Sequence, residues 1–306
     1  MRDGTTPAAT LLPPHRGQEV VAAQTQEQRA TESWEKAQQN LNWAAIHEEM
    51  AKTSDARLSP YDWDDARTAV FDGLESWLGS DLLNFEILEV EKSVTTPLVR
   101  GVLDLVFRVR PKPLIGAYAA WAGRILLSDW KTSKNTLSND WRGRHIASWQ
   151  APIYGILTEH ENGFGEMPAA FEFRGISRAR ETKPILLEYG PASSDLAYTF
   201  LYQIDRMKST LGDGKTKRWP QNRPHACNAY GRECVYIEDC DNGVERLVQI
   251  GTKPLSYSGV STFMLCPEKF RRQQADGSQD SDETIFGSVV HEGLAEAYRQ
   301  AKNWTL

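Results

Sequence analysis

Asp129 and Lys131 close the apolar run of "LLSDWKTSK", residues 126–134. In a strand, residues two apart share a face, so this acid and this base point one way and Trp130 the other. A second acid, Asp104, interrupts the apolar run "RGVLDLVF" between Leu103 and Leu105. A carboxylate among apolar neighbours is costly unless it is paired or binds a metal. Two such acids on consecutive strands can meet at the end of a sheet, and their hard oxygens suit Mg²⁺ or Mn²⁺. The chemistry that needs this set is phosphodiester hydrolysis. The cation polarises a phosphoryl oxygen and acidifies a bound water, while the lysine positions that water or offsets charge in the transition state. Taken alone, D-x-K is a common pattern and reads first as a plain salt bridge between Asp129 and Lys131.

These residues need a sheet to hold them. "FEILEVEKSV", "LVRGVLDLVFRV" and "GRILLSDWKTS" alternate with period two and read as three consecutive strands. Before them, "SPYDWDDARTAVFDGLESWLGS" reads as a helix, with Ser59 as its cap, Pro60 in first position and acids in the first turn. Residues 25–53 carry a weaker helical period, and residues 1–24 show none and read as a flexible tail. A helix is expected over 143–160, with Pro152 kinking it or marking an early turn. Strands are expected at 169–176 and 184–190, and an amphipathic helix ending at Gly212. A cysteine-bearing loop over 220–242 and a helical segment over 255–302 complete the chain.

With 306 residues, 40% apolar and 25% charged, the chain reads as an ordinary soluble globular protein with an ample core. No leader or membrane span is recognisable, and a cytoplasmic location with no membrane partner is expected. A net charge of -6 excludes a globally basic nucleic-acid binder, so any DNA contact must be local. Ten tryptophans are expected mostly in the core.

"GVLDLVF", then "LLSDWKTS", then "WQAPIYG" resembles the PD-(D/E)XK nuclease superfamily in its RecB-like exonuclease branch, where G-x-x-D, D-x-K and Q-x-x-x-Y elements occur in this order. The resemblance implies a restriction-endonuclease-like α/β fold, a mixed central sheet flanked by helices. It also implies metal-dependent DNA exonuclease activity in recombination, repair or phage DNA processing, with a helicase or recombinase as partner. Carried over, Asp104 and Asp129 are metal ligands, Lys131 is the catalytic lysine, and Gln150 and Tyr154 brace the site and approach the DNA. Glu91, ahead of Glu89, is an auxiliary acid from the preceding strand.

Cys227, Cys234 and Cys240 are spaced C-x6-C-x5-C, without the C-x2-C pair of a common zinc ribbon. Four thiolates at wide spacing suit an iron–sulfur cluster, with Cys266 as the fourth. The resemblance implies a [4Fe–4S] cluster acting as a staple under a helical cap, since iron–sulfur exonucleases of this branch pair one distant cysteine with three clustered ones.

"LSYSGVSTFMLCPEKF" (255–270) and "FGSVVHEGLAEAYR" (286–299) are similar to the start of that branch, where a Cys-Pro precedes a helix whose histidine binds metal. Here they come last. The order is a circular permutation of the family's or the opening of a second copy, and the single Cys266 and single matching His291 favour permutation. The expectation is one nuclease domain over 25–306: a helical part over 25–80, a catalytic core over 83–192, the helix and cysteine loop over 193–250, and the permuted segment over 251–306.

Basic residues recur in "FRGISRARETK" (Arg174, Arg178, Arg180, Lys183) and "GDGKTKRWPQNR" (Lys215, Lys217, Arg218, Arg223), with Trp219 and Tyr230 as stacking faces. Arg174, Arg178 and Lys183 are the expected DNA contacts. A non-catalytic DNA-binding or scaffold module, and a restriction-type endonuclease, are the competing functions.

Overall fold

A computed structural model describes residues 16–54, 58–146, 148–160, 163–190, 254–276 and 282–304, with isolated residues between 195 and 240. Two helices open it, α1 (Arg16–Asn40) and α2 (Trp43–Ser54), then α3 (Pro60–Asn84). The helix α1 thus begins inside the stretch expected as a tail. Ser59 caps α3, its Oγ accepting from Asp62 N–H at 3.1 Å, and Pro60 stands first in the helix. A serine oxygen here satisfies an amide that no helical carbonyl can reach.

Strands β1 (Phe85–Thr95), β2 (Val99–Val109) and β3 (Ile125–Ser133) follow, with a 3₁₀ turn at Gly116–Trp121 between the last two. The expected helix over 143–160 is two helices, α4 (Asn139–Ile146) and α5 (Gln150–Glu159). Pro152 falls in the first turn of α5, where its missing N–H costs no helical bond. Next come β4 (Ala170–Ser177) and β5 (Thr182–Glu188), and finally β6 (Leu255–Ser256), α6 (Tyr257–Leu265), α7 (Pro267–Asp276) and α8 (Asp282–Lys302).

The protein is an α/β fold built on a mixed sheet in the order β1-β2-β3-β4-β5, with β6 added to β2. Neighbours are antiparallel except β3 with β4 and β2 with β6, which are parallel. The parallel pair needs a crossover, and α4 and α5 supply it. One face of the sheet packs on α3 and α8, through Leu105, Phe107, Leu126 and Trp130 against Leu74, Leu78, Val290 and Leu294. The other packs on α5 and the α6–α7 pair, through Leu103, Val106, Leu127 and Phe171 against Ile153, Leu157, Val260 and Phe270. Asp129 and Trp130 therefore look to opposite layers, as alternation requires. Among the described residues, no helix is long and apolar enough to cross a membrane.

Candidate metal centre

The β2–β3 ladder runs from Arg108–Ile125 to Leu105–Ser128 and ends there. The next rung would pair Asp104 with Asp129. Instead the strands part, and Asp104 Oδ2 accepts the Trp130 backbone N–H at 3.0 Å. A carboxylate has taken up a backbone donor released from the ladder. On the other side of β2, Val90 pairs with Leu105 and Lys92 with Leu103, which sets Glu91 opposite Asp104. Glu91, Asp104 and Asp129 thus form one row across three strands.

Glu91 has a backbone φ of 55°, in the left-handed region that non-glycine residues rarely occupy. It follows a register shift between Ile87 and Glu89, which turns this end of β1. Strain of this kind survives only where surrounding structure imposes it, and it gathers at functional sites.

His291 arrives from α8. Its Nε2 lies 2.8 Å from the Trp130 carbonyl oxygen and its Nδ1 lies 3.4 Å from Asp104 Oδ2. The carbonyl can only accept, so Nε2 carries the proton and Nδ1 presents a lone pair to the carboxylate. Burial, with Lys131 nearby, lowers the imidazole pKa to about 4, so it is neutral at physiological pH. A lone pair facing a carboxylate repels it unless a proton on Asp104 or a metal cation lies between them. Donor atoms of Glu91, Asp104 and His291 all lie within 4.8 Å of one another, which fits a shared centre at the ~2.0–2.6 Å bond lengths of hard divalent cations. An imidazole that gives its other N–H to a backbone carbonyl is the usual arrangement of a metal-bound histidine.

The acids carry the signature of that crowding. Burial raises Asp104 well above the usual carboxylate range, and Asp129 beside it pushes the same way while Lys131 opposes. Burial and then Glu292 push Glu91 up to about 7. Both sites bind a proton tightly when no other cation is there.

Asp129 has a different set of partners. Gln150 Nε2 donates to its Oδ1 at 2.5 Å, and the Lys131 ammonium stands 2.5 Å from its Oδ2 in an ion pair that leaves that oxygen without an aligned hydrogen bond. Gln150 and Tyr154 are one helical turn apart on α5 and face the site together. Gly101 allows that helix to lie over β2: a Cβ there would stand 2.8 Å from Leu157 Cδ1 and 3.2 Å from Tyr154 Cε1. Asp104, Asp129, Lys131, Gln150, Tyr154 and His291 line one cavity of about 610 Å³. Glu91 and His291 line a second, of about 410 Å³. The candidate centre stands in the wall between the two.

The structure thus brings together Asp104, Asp129, Lys131, Gln150, Tyr154 and His291, and places Glu91 among the candidate ligands rather than beside them. Sequence reading passed over Arg100 and Ser256, which line the larger cavity. Ser256 caps α6 and is paired through β6 with Arg100. The serine cap was legible in "LSYSG", but its place opposite β2 depends on a pairing across most of the chain.

Of the expected DNA contacts, Arg174 needs correction. Arg174 is 1% exposed, and its guanidinium binds both oxygens of Asp81 (2.5 and 2.9 Å) and Glu172 Oε2 (2.6 Å). A side chain so enclosed cannot reach DNA. Arg178 binds Asp62 at 2.6 Å and lies over Phe286, while Arg180 binds Asp72 at 2.8 Å. Three arginines of the β4–β5 hairpin are thereby fastened to three acids of α3. Lys183 donates to the Leu137 carbonyl at 2.9 Å and keeps half its side chain exposed. Lys215, Lys217, Arg218, Trp219, Arg223 and Tyr230 lie outside the described residues.

Cys227 also lies outside them, and Cys234 and Cys240 are isolated described positions. Cys266 is buried at the C-terminal cap of α6. Among the described residues, no group of cysteines comes within metal-holding distance. No family model matches the chain, and no curated protein matches it.

Proposed function

We propose that this protein is a metal-dependent deoxyribonuclease that hydrolyses phosphodiester bonds. The observation that carries the reading is the convergence of ligand atoms from Glu91, Asp104 and His291 within 4.8 Å of one another. That trio fits a hard divalent cation, Mg²⁺ or Mn²⁺, held by two carboxylates and one neutral imidazole. When bound, such a cation supplies Lewis-acid stabilisation of charge on a phosphoryl oxygen.

The remaining chemistry belongs to the chain. Trp130 fixes the imidazole tautomer through its carbonyl and orients Asp104 through its N–H. Lys131, held by Asp129, puts a positive charge into the larger cavity, where it offsets charge building on the phosphate. Gln150 holds Asp129 in place and Tyr154 closes the cavity wall. Exonuclease rather than endonuclease action rests on the likeness of "GVLDLVF", "LLSDWKTS" and "WQAPIYG" to the RecB-like order. A setting in recombination, repair or phage DNA processing, with a helicase or recombinase partner, belongs to the same proposal. So does circular permutation of the RecB-like order, since the helix that delivers the histidine comes last.

The four cysteines make a separate proposal, a [4Fe–4S] staple, checked by iron and acid-labile sulfide in anaerobically purified protein. Four irons per chain is the expected result, and iron-free protein of unchanged fold contradicts it.

The test of the nuclease uses that protein with linear single- and double-stranded DNA and Mn²⁺. Linear substrates are expected to shorten from their ends while closed circles persist. Lys131→Ala and His291→Ala are expected to lose activity by at least about a hundredfold. Intact linear DNA throughout, or Lys131→Ala cutting like wild type, contradicts the reading and favours the non-catalytic DNA-binding module. Cleavage of closed circles points to a restriction-type endonuclease.

A further inference from the structure

Behind the candidate centre lies a buried polar cluster that the proposed chemistry does not use. Asp81 on α3 takes both nitrogens of the Arg174 fork, Arg174 Nη1 donates to the Tyr298 hydroxyl at 3.0 Å, and that hydroxyl donates to Asp81 Oδ2. Glu172 joins through Arg174 Nε and accepts from Ser128 Oγ at 2.8 Å. Asp81, Glu172, Arg174 and Tyr298 are all at least nine-tenths buried. A cluster with these charges inside a core is a weak source of stability, because desolvation consumes most of what pairing returns. What such clusters do supply is a single geometry, since any slip leaves a buried charge without its partner.

The geometry in question is that of α8. Tyr298 stands seven residues after His291, two turns along the same face. Between them sits the Trp130 indole, with ring centroids 5.7 Å from Tyr298 and 5.8 Å from His291, the latter edge to face at 86°. Trp130 is fully buried, and its backbone carbonyl and N–H hold His291 and Asp104. Rotation or sliding of α8 would break the Tyr298 bonds and turn the imidazole away from the carboxylates together.

We propose that Tyr298, locked by Asp81 and Arg174 and wedged on Trp130, is a positioning residue for the metal centre: it sets α8 so that His291 Nδ1 meets Glu91 and Asp104. The inference rests on the metal reading above.

The experiment compares Mn²⁺ affinity, by electron paramagnetic resonance of the free ion, in wild type, Tyr298→Phe, Leu78→Ala and His291→Ala. Tyr298→Phe keeps the ring and removes only the hydroxyl. It is expected to weaken Mn²⁺ binding several-fold, less than the roughly 10–100-fold that follows loss of a group bonded directly to a ligand. Leu78→Ala loosens the same core from α3 without touching the cluster, and is expected to lower thermal stability with Mn²⁺ affinity kept. In the metal-free protein, imidazole nitrogen shifts are expected to show one His291 tautomer, protonated at Nε2, in wild type and a mixture in Tyr298→Phe. Unchanged Mn²⁺ affinity and tautomer in Tyr298→Phe, with only a lower melting point, overturns the positioning role while His291→Ala still loses the metal. If His291→Ala binds Mn²⁺ like wild type, the metal reading falls and the positioning role with it.

Discussion

Glu91 and Asp104 hold protons that a divalent cation must displace. Burial and Glu292 raise Glu91 to about 7, and Asp104 is raised by burial and by Asp129, whereas His291, lowered to about 4, is neutral through this range. Mn²⁺ affinity should therefore climb with pH, by roughly tenfold per unit for each proton displaced, and the slope should ease as pH passes the pKa of Glu91. Glu292→Gln removes one cause of the raised pKa and should move that climb to lower pH. Mn²⁺ titrations at a series of pH values check both, and a flat profile contradicts them. Arg174 makes the opposite case, a charge with no role at the surface. Arg174→Ala leaves Asp81 and Glu172 buried without their partner and should cost about 3–5 kcal/mol of stability in urea unfolding. Lys183→Ala, at a half-exposed side chain, should cost less than about 1 kcal/mol. Asp104 was legible because an acid between Leu103 and Leu105 demands an explanation. Arg174 sits as plainly among apolar neighbours in "AAFEFRGI", and the same cost argument reads it as a core ion pair, whereas counting basic residues reads it as surface.

α8 brings the histidine to the sheet, and Gly287 sets how closely it comes. A Cβ at Gly287 would stand 2.9 Å from Thr132 Oγ1 on β3, one turn before His291. Gly287→Ala should push the helix outward, costing about 1–3 kcal/mol and weakening Mn²⁺ binding beyond what stability alone explains. Denaturant unfolding measured beside Mn²⁺ titration checks this, and a variant with native affinity contradicts it. The strands β1, β2 and β3, the Ser59 cap and the early-turn place of Pro152 were legible from local period and capping chemistry. The place of Glu91 in the trio was not. It depends on the register of β1 against β2, which a shift between Ile87 and Glu89 resets, and a one-residue slip moves a side chain to the other face.

At the scale of the molecule, the last segment of the chain completes both layers around the sheet. β6 pairs with β2 at Val99–Leu255, α6 and α7 supply Val260, Phe263 and Phe270 to one core, and α8 supplies Val289, Val290, Leu294 and Tyr298 to the other. The end of α8 is tied to the α1–α2 junction, where Asn42 N–H donates to Gln300 Oε1 at 2.9 Å. A chain stopped before Asp282 should therefore lose cooperative unfolding and near-ultraviolet circular dichroism together, because Leu105, Phe107 and Trp130 would face water. A native-like transition in that truncated chain contradicts the packing described. The motif "FGSVVHEGL" made the histidine legible from sequence, while the clamp behind it was not, since Asp81, Arg174 and Tyr298 lie far apart along the chain and meet only in the fold. The central claim is that Glu91, Asp104 and His291 hold one divalent cation, and anomalous diffraction from a Mn²⁺-soaked crystal tests it most directly. The account predicts a single peak within ~2.0–2.6 Å of Glu91, Asp104 and His291 Nδ1. A peak elsewhere, or none with His291 Nδ1 still 3.4 Å from Asp104 Oδ2, contradicts it.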